Sequence, residues 1–317
     1  MWIYRQPGPH RFERLEVDPP VPENLPDDHV LVRFAAGAIC GSDLPKFAGV
    51  MDPDNPYTGL PGVPMHELVG RVEASRSDRL RPGQRVVGIV AQSKGLSELI
   101  ANPAGYMIPV DDALSDAHAT VVQPLSTVLS ALESAPDLAG RRVSVLGLGP
   151  LGLLFGHVAR RRGAARVTGV DRIDRSAEAA SFGFDETVRS EVSAWSRELP
   201  DGRPDLVIDC IGHRQEVVGW AIDAVERNGH VLVFGLPEDH YVVPMRSFFR
   251  KNLTMSAGAT QDWQRHLAGA QEYLLASPEL ADRYVTHEFA LDDVEEAYWC
   301  YATPAPGRLK VVLRPPR

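Results

Sequence analysis

Cysteine is scarce in this chain of 317 residues: Cys40, Cys210 and Cys300 are the only three, far apart and in no C-x-x-C pair. That spacing excludes a disulfide framework and fits a reducing compartment. Long apolar runs are missing as well, and no stretch approaches the ~20 residues that span a bilayer. The first residues, Met-Trp-Ile-Tyr-Arg-Gln-Pro, have no basic segment leading into an apolar one. No secretory leader is therefore expected, and the expected location is the cytoplasm. Positive charge is not in excess: 33 Lys and Arg stand against 42 Asp and Glu, for a net charge of −9. That balance argues against nucleic acid or an anionic membrane as the main partner. Internal repeats and low-complexity tracts are absent. The rest, 44% hydrophobic and 24% charged, is the make-up of a soluble globular enzyme long enough for two domains.

The strongest signal lies between Arg141 and Asp171. The run Arg142-Val-Ser-Val-Leu-Gly-Leu-Gly-Pro-Leu-Gly152 is a short β-branched strand that ends in G-x-G-x-x-G. The pattern predicts a helix from Leu153 to Arg162, then a second strand, Ala165 to Val170, closing on Asp171. Strand, glycine turn, helix, strand and terminal acid within about 30 residues form a dinucleotide-binding unit. Gly147 permits the tight turn, Gly149 lets backbone approach a pyrophosphate, and Gly152 permits close packing of the helix. Pro150 and Leu151 fill the two variable positions. The start of the helix offers free N–H groups and positive dipole to phosphates. Asp171 suits the ribose hydroxyls and repels a 2′-phosphate, which favours NAD over NADP, while Arg172 beside it is a group a 2′-phosphate would use.

Before this unit the chain reads as all-β. Short alternating runs (Val30 to Phe34, Leu68 to Val72, Arg85 to Val90) are separated by Pro, Gly and Asp. Asp18 to Asp28 predicts a surface loop, and Arg81-Pro-Gly-Gln-Arg-Val86 a turn delivering a strand. From Ser115 to Ala135 the pattern is helical, interrupted at Pro124. After the glycine motif, strands are expected at Asp205 to Asp209, His230 to Gly235 and Asn252 to Ser256, with a helix from Gln215 to Glu226. That alternation predicts a doubly wound parallel sheet. Beyond Gly258 come an amphipathic helix (Trp263 to Leu275), an acidic helix (Leu291 to Tyr301) and a final strand, Leu309 to Leu313, expected to rejoin the β domain. The fold class is thus α/β, with residues 1–127 and 259–317 in one domain and 128–258 in the other.

A second constellation precedes the glycine motif: Ala38-Ile-Cys-Gly-Ser-Asp-Leu44 and Met65-His-Glu-Leu-Val-Gly70. A Cys thiolate and a His imidazole suit Zn²⁺, and a catalytic site takes about three protein ligands with one position left open. Taken singly, a Cys before Gly is packing and a His-Glu is a surface pair. Together, upstream of a dinucleotide fold, Cys40 and His66 are candidate ligands.

Cys-Gly-Ser-Asp, His-Glu followed by Gly, Pro-Gly-Gln-Arg-Val, Gly-Leu-Gly-Pro-Leu-Gly and Asp171 together resemble the zinc-dependent alcohol dehydrogenases of the medium-chain dehydrogenase/reductase family. The likeness runs nearest the polyol and sugar-alcohol branch and covers nearly the whole chain. It implies a GroES-like β domain, a Rossmann cofactor domain, and hydride transfer between a secondary alcohol and NAD at one zinc ion. By the same resemblance Cys40 and His66 match metal ligands and Glu67 an acid that ligates or exchanges with water. Ser42 matches the hydroxyl that takes the substrate proton, and Asp43 the acid that orients the ligand histidine. Thr127 matches a residue near the nicotinamide, Gly235 a backbone turn by the carboxamide, and Lys310 a basic position near the pyrophosphate or a solvated lysine.

Three departures bear on function. Gln123 stands where the family usually has an anionic third ligand; Glu67 would then complete the zinc set, with Gln123 weakly bound or outside it. The four-cysteine structural zinc lobe is missing, with Gly88 to Gly95 bridging the gap. Pro45 replaces a relay histidine and is followed by Lys46, a pair similar to that of some hexitol-phosphate dehydrogenases. Lys46 thus either meets a polar or anionic substrate or is a loop lysine. The expected function is NAD-dependent interconversion of a polyol, sugar or aminocyclitol alcohol and its ketone, by a homodimer. A metal-free NAD(P)H-dependent quinone or enoyl reductase is the alternative, and a non-catalytic dinucleotide-binding sensor the remote one. Pocket walls are expected from Phe47 to Gly62 and Ser93 to Ser97.

Overall fold

The structure, a computed structural model, describes residues 1–52, 56–199 and 202–315, so the middle of the expected pocket loop Phe47 to Gly62 lies outside the described residues. The chain divides into two compact units. One comprises Met1–Ser126, Asp262–Pro304 and Arg308–Arg317; the other comprises Thr127–Gln261 and Ala305–Gly307.

The first unit opens with an antiparallel hairpin, β1 (Trp2–Gly8) and β2 (Arg11–Glu16), which the hydropathy pattern does not announce. There follow β3 (His29–Ala38), β4 (Glu67–Ser75), β5 (Arg85–Ile89), β6 (Leu99–Pro103) and β7 (Met107–Pro109). In β3 the period-two spacing of Val30, Val32 and Phe34 puts all three side chains in the core, while Arg33 between them is exposed. The helical stretch after Ser115 is two helices, Asp116–Ala119 and Val122–Ala131. Ser115 caps the first by accepting from the His118 N–H. The break falls at Thr120 and Val121, not at Pro124. Pro124 sits in the first turn of the second helix, where its missing N–H forfeits no helical bond.

The second unit carries β8 (Arg142–Leu146), β9 (Arg166–Asp171), β10 (Glu186–Arg189), β11 (Leu206–Asp209), β12 (His230–Val233) and β13 (Thr254–Ala257). All pair in parallel, in the order β10-β9-β8-β11-β12-β13. Val143, Val145, Val207, Ile208, Val231 and Leu232 are buried in its centre. Connecting helices at Pro150–Arg161, Ser176–Ser181, Val192–Glu198, Glu216–Ala224 and Met245–Lys251 make the sheet doubly wound. The strand order reverses between β8 and β11, and ligands of such sheets bind outside the carboxyl ends of the strands at that point.

The chain then re-enters the first unit through the helix Trp263–Leu275, β14 (Val285–Ala290) and β15 (Lys310–Arg314). β15 lies parallel to β14 and antiparallel to β3, with Val312 opposite Ala38, so the last strand closes on the N-terminal sheet as expected. The resulting seven-stranded sheet runs β14-β15-β3-β4-β5-β7, with β6 also on β3. Among the described residues no helix is long and apolar enough to cross a membrane.

Candidate functional site

The register of β3 on β4 sets Ala38 opposite Glu67, which brings the turn after β3 beside the residue that precedes β4. Cys40 stands in that turn and His66 just before β4. The ligand-type atoms of Cys40, His66 and Glu67 all lie within 4.8 Å of one another. Asp43, fully buried in the 3₁₀ turn Gly41–Asp43, ties the two segments together. One of its carboxylate oxygens accepts the Cys40 N–H at 2.9 Å, and the other lies 2.9 Å from His66 Nδ1. A carboxylate only accepts, so Nδ1 carries a proton toward Asp43, and Nε2 is the ring nitrogen turned to Cys40, where the two atoms could share a metal.

The charges reinforce this arrangement. Burial alone would raise the Asp43 carboxyl, but the His66 charge and hydrogen bond, with the Cys40 N–H and the Lys46 charge, hold it below its ordinary value. Burial would lower His66, yet Asp43 and then Cys40 raise it well above the usual imidazole range. Burial pushes the Cys40 thiol up, but the hydrogen bond from His66 and the charges of His66 and Lys310 bring it down to about 6. The pair is thus a thiolate and an imidazolium, both half-buried; release of the Nε2 proton on metal binding would leave a thiolate and a neutral imidazole, the donors Zn²⁺ selects.

Glu67 completes the cluster in an unexpected way. It is fully buried, and its oxygens lie 2.7 and 2.6 Å from the Lys310 ammonium. Lys310 is 1% exposed and also donates to the Ile39 carbonyl at 3.1 Å, so it is neither solvated nor free for a pyrophosphate. Burial pushes the Glu67 carboxyl up while Lys310 pulls it back, and the distances are those of an ion pair. Apart from that ion-pair contact, Glu67 Oε2 meets no hydrogen-bond donor among the described residues. A buried carboxylate beside a thiolate and an imidazole fits a cation, and Lys310 already supplies one to it.

Ser42 lies between Cys40 and Asp43 and is partly exposed; its carbonyl accepts from Lys46 Nζ at 3.4 Å. Lys46 itself is 8% exposed, folded back on its own turn. Gln123 is buried in the first turn of the helix Val122–Ala131, with the Ser126 hydroxyl donating to its carbonyl at 2.6 Å, and Thr127 follows one turn later. Geometry thus unites Cys40, Asp43, His66, Glu67 and Lys310, with Ser42 and Lys46 alongside. Sequence reasoning missed that Lys310 and Glu67 pair; a lysine in a terminal strand and an acid after a histidine carry no signal of each other.

The cofactor-type site is built on the second unit. Gly147 adopts φ +88°, where a side chain would be strained, and a Cβ on it would come within 2.9 Å of Ile211. A Cβ on Gly152 would stand 1.9 Å from the Gly147 carbonyl oxygen, so the helix start packs on the turn itself. Around Gly149 there is open space, as close approach of a phosphate requires. Pro150 and Leu151 open the 12-residue helix Pro150–Arg161, with Gly149 as its cap. Asp171 accepts the Leu148 N–H at 2.7 Å through one oxygen and the Ile173 N–H at 2.9 Å through the other, which ties the glycine turn to the end of β9. Arg172 lies 3.7 Å from Glu191, which also meets Arg214. Gly235 follows β12 and lies against Gly212; a Cβ there would fall 2.2 Å from the Gly212 nitrogen.

Comparison with known proteins gives two family matches. Residues 26–109 match the alcohol dehydrogenase GroES-like domain and residues 150–271 the zinc-binding dehydrogenase domain. The sorbitol dehydrogenase of Bombyx mori is 27% identical over 90% of this chain and 90% of its own length. The D-arabinitol dehydrogenase 1 of Uromyces fabae is 24% identical over 91% and 90%. Among solved structures, alcohol dehydrogenase TADH from Thermus sp. ATN1 superposes with a TM-score of 0.84 at 25% identity, covering 99% of this chain and 100% of that one.

Proposed function

Since the chain belongs to the zinc-type alcohol and polyol dehydrogenases of the medium-chain dehydrogenase/reductase family, oxidoreductases acting on CH–OH donors, we propose that it interconverts a polar secondary alcohol and its ketone with NAD and one zinc ion. The observation that carries this reading is the Cys40–His66 pair held by Asp43, with the Cys40 thiol and His66 Nε2 turned to each other and Glu67 within reach. Cys40 and His66 would hold the metal, with Glu67 as the available third donor and Gln123 weakly bound or outside the set. Zinc would supply a Lewis acid that lowers the pKa of the carbinol, and NAD would supply the hydride acceptor.

This chain's own residues do the rest. Asp43 fixes the His66 tautomer and the Cys40 backbone, so that the donors are ordered before any ligand arrives. Ser42, partly exposed on the same turn, accepts the carbinol proton and passes it toward solvent. Lys46, one turn on and folded back toward the Ser42 carbonyl, either turns outward to meet hydroxyls or an anionic group of the substrate or is a loop lysine without a role in it. Asp171 keeps lone pairs for the ribose diol beyond the two N–H groups it already accepts. Glu191, 3.7 Å from Arg172, adds a second negative charge that would disfavour a 2′-phosphate there, which supports NAD. The relatives named for sorbitol and D-arabinitol support a polyol-type substrate.

A homodimer is part of the same proposal. β13 is the outer strand of the parallel sheet, with Met255 exposed on it and Leu253, just before it, turned into the core. The preceding helix exposes Phe249. An apolar sheet edge favours pairing with a second copy across a two-fold axis.

One observation favours the metal-free reductase instead: Gln123 is neutral, and Glu67 is already neutralised by Lys310. Incubation with NAD⁺ and a panel of polyols, sugars and aminocyclitols, following reduced cofactor, decides between them. Turnover of secondary alcohols is expected. Reduction of quinones or enones by NAD(P)H, with no alcohol oxidised, would replace the proposal by the metal-free reading.

A further inference from the structure

We infer that Lys310 is a positioning residue that competes with the metal for the Glu67 carboxylate and thereby sets how tightly the metal is held. The inference rests on the zinc reading above and adds a control that the ligand residues alone do not contain.

Strand pairing puts the two groups together. Glu67 is the first residue of β4 and Lys310 the first of β15, and both strands flank the end of β3 that leads into Cys40. The Lys310 ammonium directs one N–H to Glu67 Oε1 at 2.7 Å and another to the Ile39 carbonyl at 3.1 Å. Oε2 is as near, 2.6 Å from the same ammonium in ion-pair contact, and meets no further donor among the described residues. Both oxygens of the carboxylate therefore face one fixed cation, and the same carboxylate belongs to the group whose ligand-type atoms lie within 4.8 Å of one another, where a metal would compete for it.

An ammonium and a metal ion want the same electron pairs, and each weakens the other's hold on a shared carboxylate. Lysine suits this task better than arginine. Its compact ammonium meets both oxygens with one hydrogen bond, whereas the planar guanidinium fork would donate a separate in-line N–H to each and hold the carboxylate harder against a metal. With Lys310 in place the carboxylate is a partial ligand; without it, Glu67 becomes a full anionic one.

Zinc affinity is measured by chelator competition, and the Co²⁺-substituted proteins by absorption, for the natural protein, K310M, K310R, E67Q and K310M/E67Q. K310M should bind Zn²⁺ at least tenfold tighter, about 1.4 kcal/mol. Its cobalt form should show shifted ligand-field bands with the thiolate charge-transfer band retained. K310R should bind at least threefold more weakly, which keeps the series decisive even where K310M folds poorly. In the E67Q background the tightening by K310M should fall below threefold. Unchanged or weaker affinity in K310M, unchanged or tighter affinity in K310R, or tightening that persists undiminished in E67Q would overturn competition for the carboxylate. Those outcomes leave the zinc site standing, because the cobalt–thiolate band is present in each. Absence of that band and of zinc affinity from the natural protein would overturn the zinc reading and this inference together.

Discussion

Substitution of Asp209 by Asn should stabilise the protein at neutral pH and not in acid. Asp209 ends β11 and is 1% exposed, and its Oδ1 accepts the Ile211 N–H at 3.0 Å. Burial pushes its carboxyl from an ordinary 3.8 up to about 6, against the pull of the Ile211 and Gly212 N–H groups. The folded chain therefore holds this proton more tightly than the unfolded chain does. The stability it contributes is complete below pH 3.8 and is lost as the pH rises to about 6. At 1.36 kcal/mol per pH unit, the roughly two pH units between these values amount to about 3 kcal/mol. Asn is neutral throughout and keeps an oxygen for Ile211, while losing a charged acceptor for Gly212 costs about 1–2 kcal/mol. The net gain at pH 7.5 is about 1–2 kcal/mol, a rise of about 2–6 °C in melting temperature. At pH 4.5 the gain should vanish or reverse. Melting of both proteins at the two pH values measures it, and an equal change at both, or a loss at pH 7.5, would refute the reasoning.

Three further expectations follow from the second unit. The natural enzyme should prefer NAD⁺ over NADP⁺ at least tenfold, about 1.4 kcal/mol, and Asp171→Ser should erode that ratio; equal kcat/KM for the two cofactors in the natural enzyme would contradict the assignment. Gly152→Ala, whose Cβ would meet the Gly147 carbonyl at 1.9 Å, should lower stability by about 1–3 kcal/mol and raise the Kd for NAD⁺, read by calorimetry; an unchanged Kd would dissociate this packing from cofactor binding. Light scattering at micromolar concentration should show a dimer, and Phe249→Asp should shift it toward monomer; a monomeric natural protein rules the edge pairing out.

The parallel sheet was legible in the sequence because its strands are continuous β-branched runs and its turn is marked by glycines with distinct steric duties. Cys40, His66 and Asp43 were legible as a constellation, since each keeps a motif around it. The hairpin of β1 and β2 was not, because Pro7 and the charged, half-exposed residues of β2 mask alternation. The edge at β13 was legible as a strand, but which of Leu253 and Met255 faces the core depends on register, and sequence does not fix it. The Lys310–Glu67 pair was hidden for a related reason. The two residues are 243 positions apart and meet only because β15 returns to β3, so neither carries a local trace of the other.

The central claim is that Cys40 and His66 hold a metal on which alcohol oxidation depends. Metal analysis of protein purified without chelator, joined to alcohol turnover before and after metal removal, tests it most directly. Up to one zinc per chain is expected, with turnover lost on complete removal and restored by added Zn²⁺, and no restoration in Cys40→Ala. Turnover that survives complete metal removal, and survives Cys40→Ala as well, would contradict it.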